Sequence, residues 1–284
     1  MIPKEGLEHI LTETLGDSIE WKHRVFSIHA SAVPEIGTVS VFRDETRRHE
    51  TERARDALLA TASHELRTPL AATMNYIELL SMLVKLDKVD TAEFKQHLAR
   101  ALENCKRLQQ LVDNILDQAQ IQAGALQLKH EPFDLHALLE KARQLLDVFI
   151  TQKKLSYRLS IDPQVPAKIR GDAERLQQVL VNLIGNAVKF TDHGGVDVRV
   201  SASADDLLSI QVADTGAGIP PEQLPDIFEP FRRGSNYAQR ERQGAGLGLS
   251  IVREIVERMG GQISASSEPG HGSTFTVTFP VEAA

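Results

Sequence analysis

Asn182, Asn186 and Lys189 recur at steps of four and three inside Asn182-Leu183-Ile184-Gly185-Asn186-Ala187-Val188-Lys189-Phe190-Thr191. That spacing gathers three polar side chains within two turns of one helix. Amide oxygens are hard donors suited to Mg²⁺, and a lysine meets phosphate as a point charge. The same spacing also describes an ordinary polar helix face. Further on, Asp214-Thr215-Gly216-Ala217-Gly218-Ile219-Pro220 places a carboxylate beside two glycines. A carboxylate only accepts hydrogen bonds and can select the exocyclic amine of adenine, while glycines allow tight turns and close approach of a ligand; a plain surface turn would look alike. Gly244-Ala245-Gly246-Leu247-Gly248-Leu249 opens a predicted helix, where backbone N–H groups are placed to hold phosphate. It fits neither the GxxxxGK[ST] loop nor the GxGxxG fingerprint. Ile227-Phe228-Glu229-Pro230-Phe231-Arg232-Arg233 combines two packing phenylalanines with two cations.

Well upstream, His64 lies five positions after Leu59 and two before Leu66. At about 100° per residue both offsets turn its side chain away from the apolar seam of its helix, toward solvent or another domain. Glu65 is its neighbour, and Thr68 follows one turn later on nearly the same face. Pro69 removes a backbone hydrogen bond and costs up to ~3 kcal/mol inside a helix, so a local kink is expected beside His64. A neutral imidazole can attack phosphorus through one nitrogen while the other keeps its proton.

The elements that must position these groups can be traced by periodicity. Leu59, Ala62, Leu66, Pro69, Thr73, Tyr76, Leu80 and Leu83 alternate steps of three and four, as do Phe94, Leu98, Ala101, Cys105, Leu108, Val112, Ile115 and Ala119. The two seams predict an antiparallel helical hairpin that pairs with a second copy, and Gly124 is its expected stop. Beyond it, helices are expected over Asp134–Thr151, Asp172–Phe190 and Leu249–Met259. Strands are expected over Leu155–Ile161, Val196–Ser203, Leu207–Ala213, Gln262–Ser266 and Thr274–Val281. This mixture reads as an α+β sandwich. Upstream of the hairpin, Trp21–His29 and Gly37–Phe42 read as strands, and Asp44–Arg55 as a charged helical connector.

Ser63-His64-Glu65-Leu66-Arg67-Thr68-Pro69-Leu70 resembles, at every position, the phosphoacceptor box of the sensor histidine kinases of two-component systems. The four downstream segments resemble, in the same order, the N, G1, F and G2 boxes of that family's ATP-binding domain, a Bergerat-type sandwich shared with gyrase, MutL-like and heat-shock chaperone ATPases. The likeness covers Ala57–Val281. It implies an α-helical hairpin forming a dimeric four-helix bundle, followed by an α+β (Bergerat/GHKL-type) sandwich. It implies ATP and Mg²⁺ as cofactors, autophosphorylation of His64, and transfer to an aspartate on a response regulator receiver domain. By the same resemblance Glu65 is the general base, Thr68 orients water during dephosphorylation, and Arg233 offsets γ-phosphate charge. Asn182, Asn186, Lys189, Asp214, Gly216, Gly218, Gly244, Gly246 and Gly248 surround the nucleotide, with Asn186 on the metal. Gly234–Gln243 corresponds to the ATP lid, expected to be mobile without nucleotide. Trp21–Thr46, ending Val41-Phe42-Arg43-Asp44-Glu45-Thr46, resembles the last strands and exit motif of a PAS sensor domain.

The expected organisation is a partial PAS-like segment over 1–46, a helical linker over 47–56 and the dimerisation hairpin over 57–124. A hinge follows at 125–131, and the ATP-binding domain fills 132–284. A net charge of −7 argues against a nucleic-acid or anionic-membrane surface. No apolar run reaches the ~20 residues that span a bilayer, and the acidic N-terminus does not read as a signal peptide. The single cysteine, Cys105, excludes an intrachain disulfide and a CxxC metal site. The cytoplasm is the compartment these features point to. Two other readings compete: an ATP-driven switch without phosphoacceptor chemistry, against which the His64 box speaks, and an inactive scaffold, against which Asn186, Asp214 and the three glycines 244, 246 and 248 speak.

Overall fold

A computed structural model of the chain describes residues 18–22, 24–33, 37–85, 91–203, 207–230 and 246–283, with backbone alone at 18, 30–33, 37–39, 50–61, 64, 85 and 122. The chain divides into two compact units, 1–64 and 65–284. In the first, β1 (Ser18–Trp21), β2 (Arg24–Val33) and β3 (Gly37–Asp44) form an antiparallel sheet in that order. Three strands stand where two were expected. The chain turns at Lys22 (φ +46°) inside the expected Trp21–His29 run, so that Trp21 pairs with Arg24. β2 and β3 pair past the expected ends, from Val33 with Gly37 to Phe26 with Asp44. The chain then enters α1 (Thr46–Lys85) through a side-chain knot. Asp44 Oδ1 accepts from the Thr46 N–H at 3.0 Å and its hydroxyl at 2.6 Å, which holds the Asp44 carboxyl below the usual carboxylate range. The Thr46 hydroxyl oxygen in turn accepts the Val25 N–H at 2.9 Å.

In the second unit the later part of α1 and all of α2 (Thr91–Gln122) form the helical hairpin. Pro69 does not interrupt α1, which is helical from Thr46 to Lys85. The α1 seam from Leu66 through Pro69, Thr73, Tyr76 and Leu80 to Leu83 is buried or half-buried, as its spacing predicts. The α2 seam divides into two rows within a single copy. Phe94, Ala101, Leu108 and Ile115 are covered, but Leu98, Cys105, Val112 and Ala119 are exposed, and His97, Asn104, Leu111 and Gln118 take their places. The helix carries two stripes one residue, or about 100°, apart. Leu98, Leu102, Val112 and Leu116 on α2, with Leu70, Met74 and Ile77 on α1, remain exposed.

Gly124 ends α2 as expected. At φ +67° it donates to Ile121 O at 3.0 Å, while Ala125 N–H reaches Gln120 O at 2.9 Å, the paired bonds of a glycine-terminated helix. The segment expected to be a hinge is fastened at several points. Leu126 is buried and its carbonyl accepts from Arg258 at 2.9 Å. The Lys129 N–H reaches Asp172 Oδ2 at 3.0 Å.

The sandwich has one helical layer, α3 (Leu135–Gln152), α4 (Ala173–Phe190) and α5 (Gly248–Arg258). It packs on a sheet of β5 (Ser156–Ile161), β7 (Gly195–Ala202), β8 (Leu207–Asp214), β10 (Gly272–Pro280) and β9 (Gln262–Glu268), in that spatial order. Only β5 and β7 are parallel. Alternate residues of β7, β8 and β10 face the helices; Val198, Leu208, Ile210 and Val277 are fully buried against Leu180, Leu183, Ile184 and Ile251. The helix starts follow sequence chemistry: Asp134 caps α3 by accepting Ala137 N–H, and Asp172 caps α4 by accepting Arg175 N–H. A small sheet of β4 (Glu131–Asp134), β6 (Lys168–Gly171) and β11 (Glu282–Ala283) was not anticipated. Its short strands contain several charges, one proline and one alanine, and too few alternations to register as periodic. No described helix is long and apolar enough to cross a membrane.

The hairpin and the sandwich meet at a polar clamp. Asp117 of α2 accepts from Arg175 Nη1 at 2.6 Å and from Gln178 Nε2 at 2.5 Å, both on the first turns of α4.

Candidate active site

α4, the end of β8 and the start of α5 converge on one region, and each contributes in a different way. α4 is strongly amphipathic: Leu176, Val179, Leu180, Leu183 and Ile184 are buried, which leaves Asn182, Asn186 and Lys189 half-buried at the edge of its packed face. The Asn182 amide donates to Gln178 O at 3.0 Å, which frees its oxygen to point elsewhere. That oxygen lies 2.7 Å from where a Cβ on Gly248 would stand, so a side chain there would have to turn the Asn182 amide aside. Gly246 precedes it at φ +69°. Among the described residues no side chain caps the α5 N-terminus, and N–H groups at such a helix start suit an anion.

Asp214 ends β8. Its Oδ1 accepts the Gly216 N–H at 2.8 Å. Burial pushes its carboxyl above the usual carboxylate range, partly offset by the backbone N–H groups of Gly216 and Ser273. The loop that follows is bonded to both neighbours. Ala217 N–H reaches Phe190 O at the end of α4 at 3.3 Å, and Gly270 N–H reaches Ala217 O at 2.9 Å. Ser267 joins the same network, accepting Ile219 N–H at 2.7 Å and donating to Gly272 O at 2.8 Å. Gly218, at φ +69°, passes so near β9 that a Cβ would stand 2.1 Å from Glu268 O. Gly216, whose Cβ would stand 2.5 Å from Phe190 O, and Gly218 are thus also demanded by chain-to-chain contact.

These features suit a purine nucleotide: a carboxylate for its amine, an uncapped glycine-flanked helix start for its phosphates, and the Asn186 amide oxygen for a hard cation. A lone amide fits Mg²⁺ that arrives with phosphate oxygens and water. Lys189 Nζ lies 4.9 Å from the centre of the Phe190 ring. Of the remaining expected residues, Glu65 is half-buried and Thr68 exposed on α1. The His64 side chain, Arg233, Gly244 and the lid Gly234–Gln243 lie outside the described residues. Sequence reading missed Thr215, whose hydroxyl oxygen accepts the Gly195 N–H at 3.0 Å. It also missed Ser267, Asp117 and Lys153, which act on chain segments distant in sequence and carry no local signal.

The sandwich and its site define an ATPase domain of known type. Residues 171–283 match the family described as Histidine kinase-, DNA gyrase B-, and HSP90-like ATPase. Residues 54–124 match the His Kinase A (phospho-acceptor) domain. With both domains in this order, the chain belongs to the histidine kinases. It is 35% identical over 245 residues to the signal transduction histidine-protein kinase BarA of Escherichia coli K12, covering 85% of this chain and 26% of BarA. It is 37% identical over 233 residues to the sensor histidine kinase RcsC of the same organism, covering 82% of this chain and 24% of RcsC. The chain thus spans about a quarter of the length of these curated relatives. Full-length ShkA, whose crystal structure holds AMPPNP, matches at 35% identity and TM-score 0.59 over 80% of this chain and 46% of ShkA. The Acinetobacter baumannii histidine kinase AdeS matches at 26% identity and TM-score 0.59, over 76% of this chain and 97% of AdeS.

Proposed function

We propose that this chain is the kinase portion of a two-component sensor: it binds Mg·ATP, phosphorylates His64, and passes the phosphoryl group to an aspartate of a response regulator receiver domain. The observation that carries this reading is the pairing, in one chain, of a phosphoacceptor helix bearing His64-Glu65 with a glycine-flanked, uncapped α5 start beside Asn182. That ShkA holds an ATP analogue supports the choice of nucleotide. Asp214 accepts the adenine amine, and Asn182, Asn186, Lys189 and the main chain of Gly244, Gly246 and Gly248 surround the phosphates. Gly216 and Gly218 let the adenine-side loop close. Asn186 would hold Mg²⁺, which would supply neutralisation of the phosphate charge.

In the transfer a bond forms between a His64 ring nitrogen and the γ-phosphorus, the β–γ bridging P–O bond breaks, and ADP leaves. Glu65 takes the hydrogen bond, then the proton, of the other nitrogen, and Arg233 offsets charge on the moving phosphoryl group. Positioning and charge do most of the work in such a reaction. Thr68 is assigned to orienting the water that dephosphorylates the partner regulator. The exposed apolar stripes of α1 and α2 supply the second half of a four-helix bundle, so the working form is a homodimer. The domain assignment is 1–46 the end of a PAS-like segment, 47–56 linker, 57–124 phosphoacceptor hairpin, 125–131 hinge and 132–284 ATP-binding domain.

Incubation with γ-labelled ATP and Mg²⁺ tests the reading. Acid-labile label on the wild type that disappears in His64→Ala, and on chelation of Mg²⁺, is expected. Unlabelled wild type, or normal labelling of His64→Ala, would refute it; hydrolysis without label would make the protein an ATP-driven switch, and binding alone a scaffold.

A further inference from the structure

Lys153 follows α3 as its C-cap residue. Its ammonium, however, serves the end of a different helix. It donates to the carbonyl oxygens of Val188, Lys189 and Thr191, each at 2.9 Å. A helix leaves its last four carbonyls without intrahelical partners, and at the end of α4 every one has found a donor. Ala187 O accepts the Thr191 N–H at 3.1 Å and its hydroxyl at 2.7 Å, and Phe190 O accepts the Ala217 N–H at 3.3 Å. The others depend on Lys153. An ammonium has three N–H donors and no acceptor, so three converging carbonyls use it fully, at the helix end whose dipole attracts a cation. Asp192, with Oδ1 at 3.7 Å, adds a carboxylate to the same pocket of acceptors.

The place of this contact gives it a consequence for nucleotide binding. The last turn of α4 carries Lys189, and Asn186 lies one turn before. The Phe190 carbonyl is the main-chain link to the Gly216-Ala217 loop that follows Asp214, and it stands 2.5 Å from where a Gly216 Cβ would be. The same few residues that Lys153 holds therefore join the phosphate-side helix to the adenine-side carboxylate. We infer that Lys153 is a positioning residue of the nucleotide site, holding the last turn of α4 in the register that lets Asn186 and Lys189 act together with Asp214. This inference rests on the Mg·ATP reading of that site.

Lys153→Met keeps the length of the side chain and removes its donors, while Lys153→Arg keeps a cation able to bridge several carbonyls. Calorimetric titration with Mg·ATP and Mg·ADP, autophosphorylation rate against ATP concentration, and thermal unfolding are measured on the whole chain. Lys153→Met is expected to raise Kd and KM roughly five- to ten-fold, the worth of about one misaligned hydrogen bond, with kcat much less affected and Lys153→Arg recovering most of the loss. A Lys153→Met protein that is folded, melts lower and keeps wild-type Kd and KM overturns the inference, because support of the fold alone would move only the melting temperature. If Lys153→Met does not fold, Lys153→Gln, which retains two donors, is expected to give an intermediate KM, and a wild-type KM there overturns the inference equally. Wild type that binds no Mg·ATP refutes the site reading and the role of Lys153 with it. Wild-type binding with an indifferent Lys153→Met refutes the role of Lys153 alone.

Discussion

Replacing Gly218 by alanine separates two costs that usually arrive together. At φ +69° an L-residue loses about 1–2 kcal/mol relative to glycine. The new methyl would also stand 2.1 Å from Glu268 O, 2.7 Å from its carbonyl carbon and 2.9 Å from Pro269 Cα. All of these are main-chain atoms, so no rotamer change relieves the overlap. The loop must lift off β9, straining the Ile219–Ser267 and Gly270–Ala217 hydrogen bonds beside it. Overpacking of this kind costs about 1–3 kcal/mol more, for a total of about 2–5 kcal/mol. Gly270 is the control: its φ is +82°, but a Cβ there meets nothing within 4 Å, so Gly270→Ala should lose only the conformational part, about 1–2 kcal/mol. Urea unfolding of both variants with a common m-value measures the difference. Mg·ATP titration should show weakened binding in Gly218→Ala and near-normal binding in Gly270→Ala. Equal destabilisation of the two would refute the claim that the adenine-side loop is seated on β9, and normal nucleotide binding by Gly218→Ala would refute its part in the site.

Burial raises the Asp214 pKa, so its charged form is the penalised one in the folded, ligand-free protein. This group's contribution to stability therefore improves as pH falls through the raised folded value, while nucleotide binding, which needs the carboxylate as acceptor, weakens over the same interval just above the usual carboxylate range. Titration with Mg·ATP across that interval should show a transition that Asp214→Asn lacks, and identical profiles would count against the assignment. The Asp117 and Arg175 side chains are only 14% and 23% exposed, so water screens their pair weakly. Asp117→Ala should cost about 1–3 kcal/mol, and a double-mutant cycle with Arg175→Ala should give a coupling above about 0.5 kcal/mol; additivity would show the clamp to be idle. Glu in place of Ile77 or Leu116, both more than half exposed, should yield monomers in sedimentation without loss of helix content. A dimer that persists would move the bundle interface elsewhere.

The sequence was most legible where one element satisfied its own chemistry. Asp134 and Asp172 cap the helices they begin, Gly124 ends the helix it follows, and the alternation in β8 marks its buried face directly. It was least legible where the partner is remote. On α2 the covered row includes His97, Asn104 and Gln118, which apolar spacing could not single out, while Leu98 and Val112 of the same seam face outward within one copy. β4, β6 and β11 exist through pairing with one another rather than through any pattern of their own. Lys153 reads as an ordinary basic residue after a helix, since the carbonyls it meets lie more than thirty positions on. Within the candidate site, Asn182, Asn186, Asp214 and the glycines were singled out by their resemblance to the family's boxes, since their spacing alone also described a polar helix face and a surface turn. That Gly216 and Gly218 are closely approached by neighbouring main chain was not visible in the sequence.

α4 is a stiff rod held at both ends. Asp117 grips its first turn at Arg175, and Lys153 grips its last turn beside Lys189. At 1.5 Å per residue these grips stand about 21 Å apart, so a tilt of roughly 5° about the first would carry the second sideways by about 2 Å. That is the difference between a hydrogen bond and none. The helix is thus a lever whose short input is the foot of the hairpin and whose output is the turn that carries Lys189, where small angular errors at the clamp are magnified.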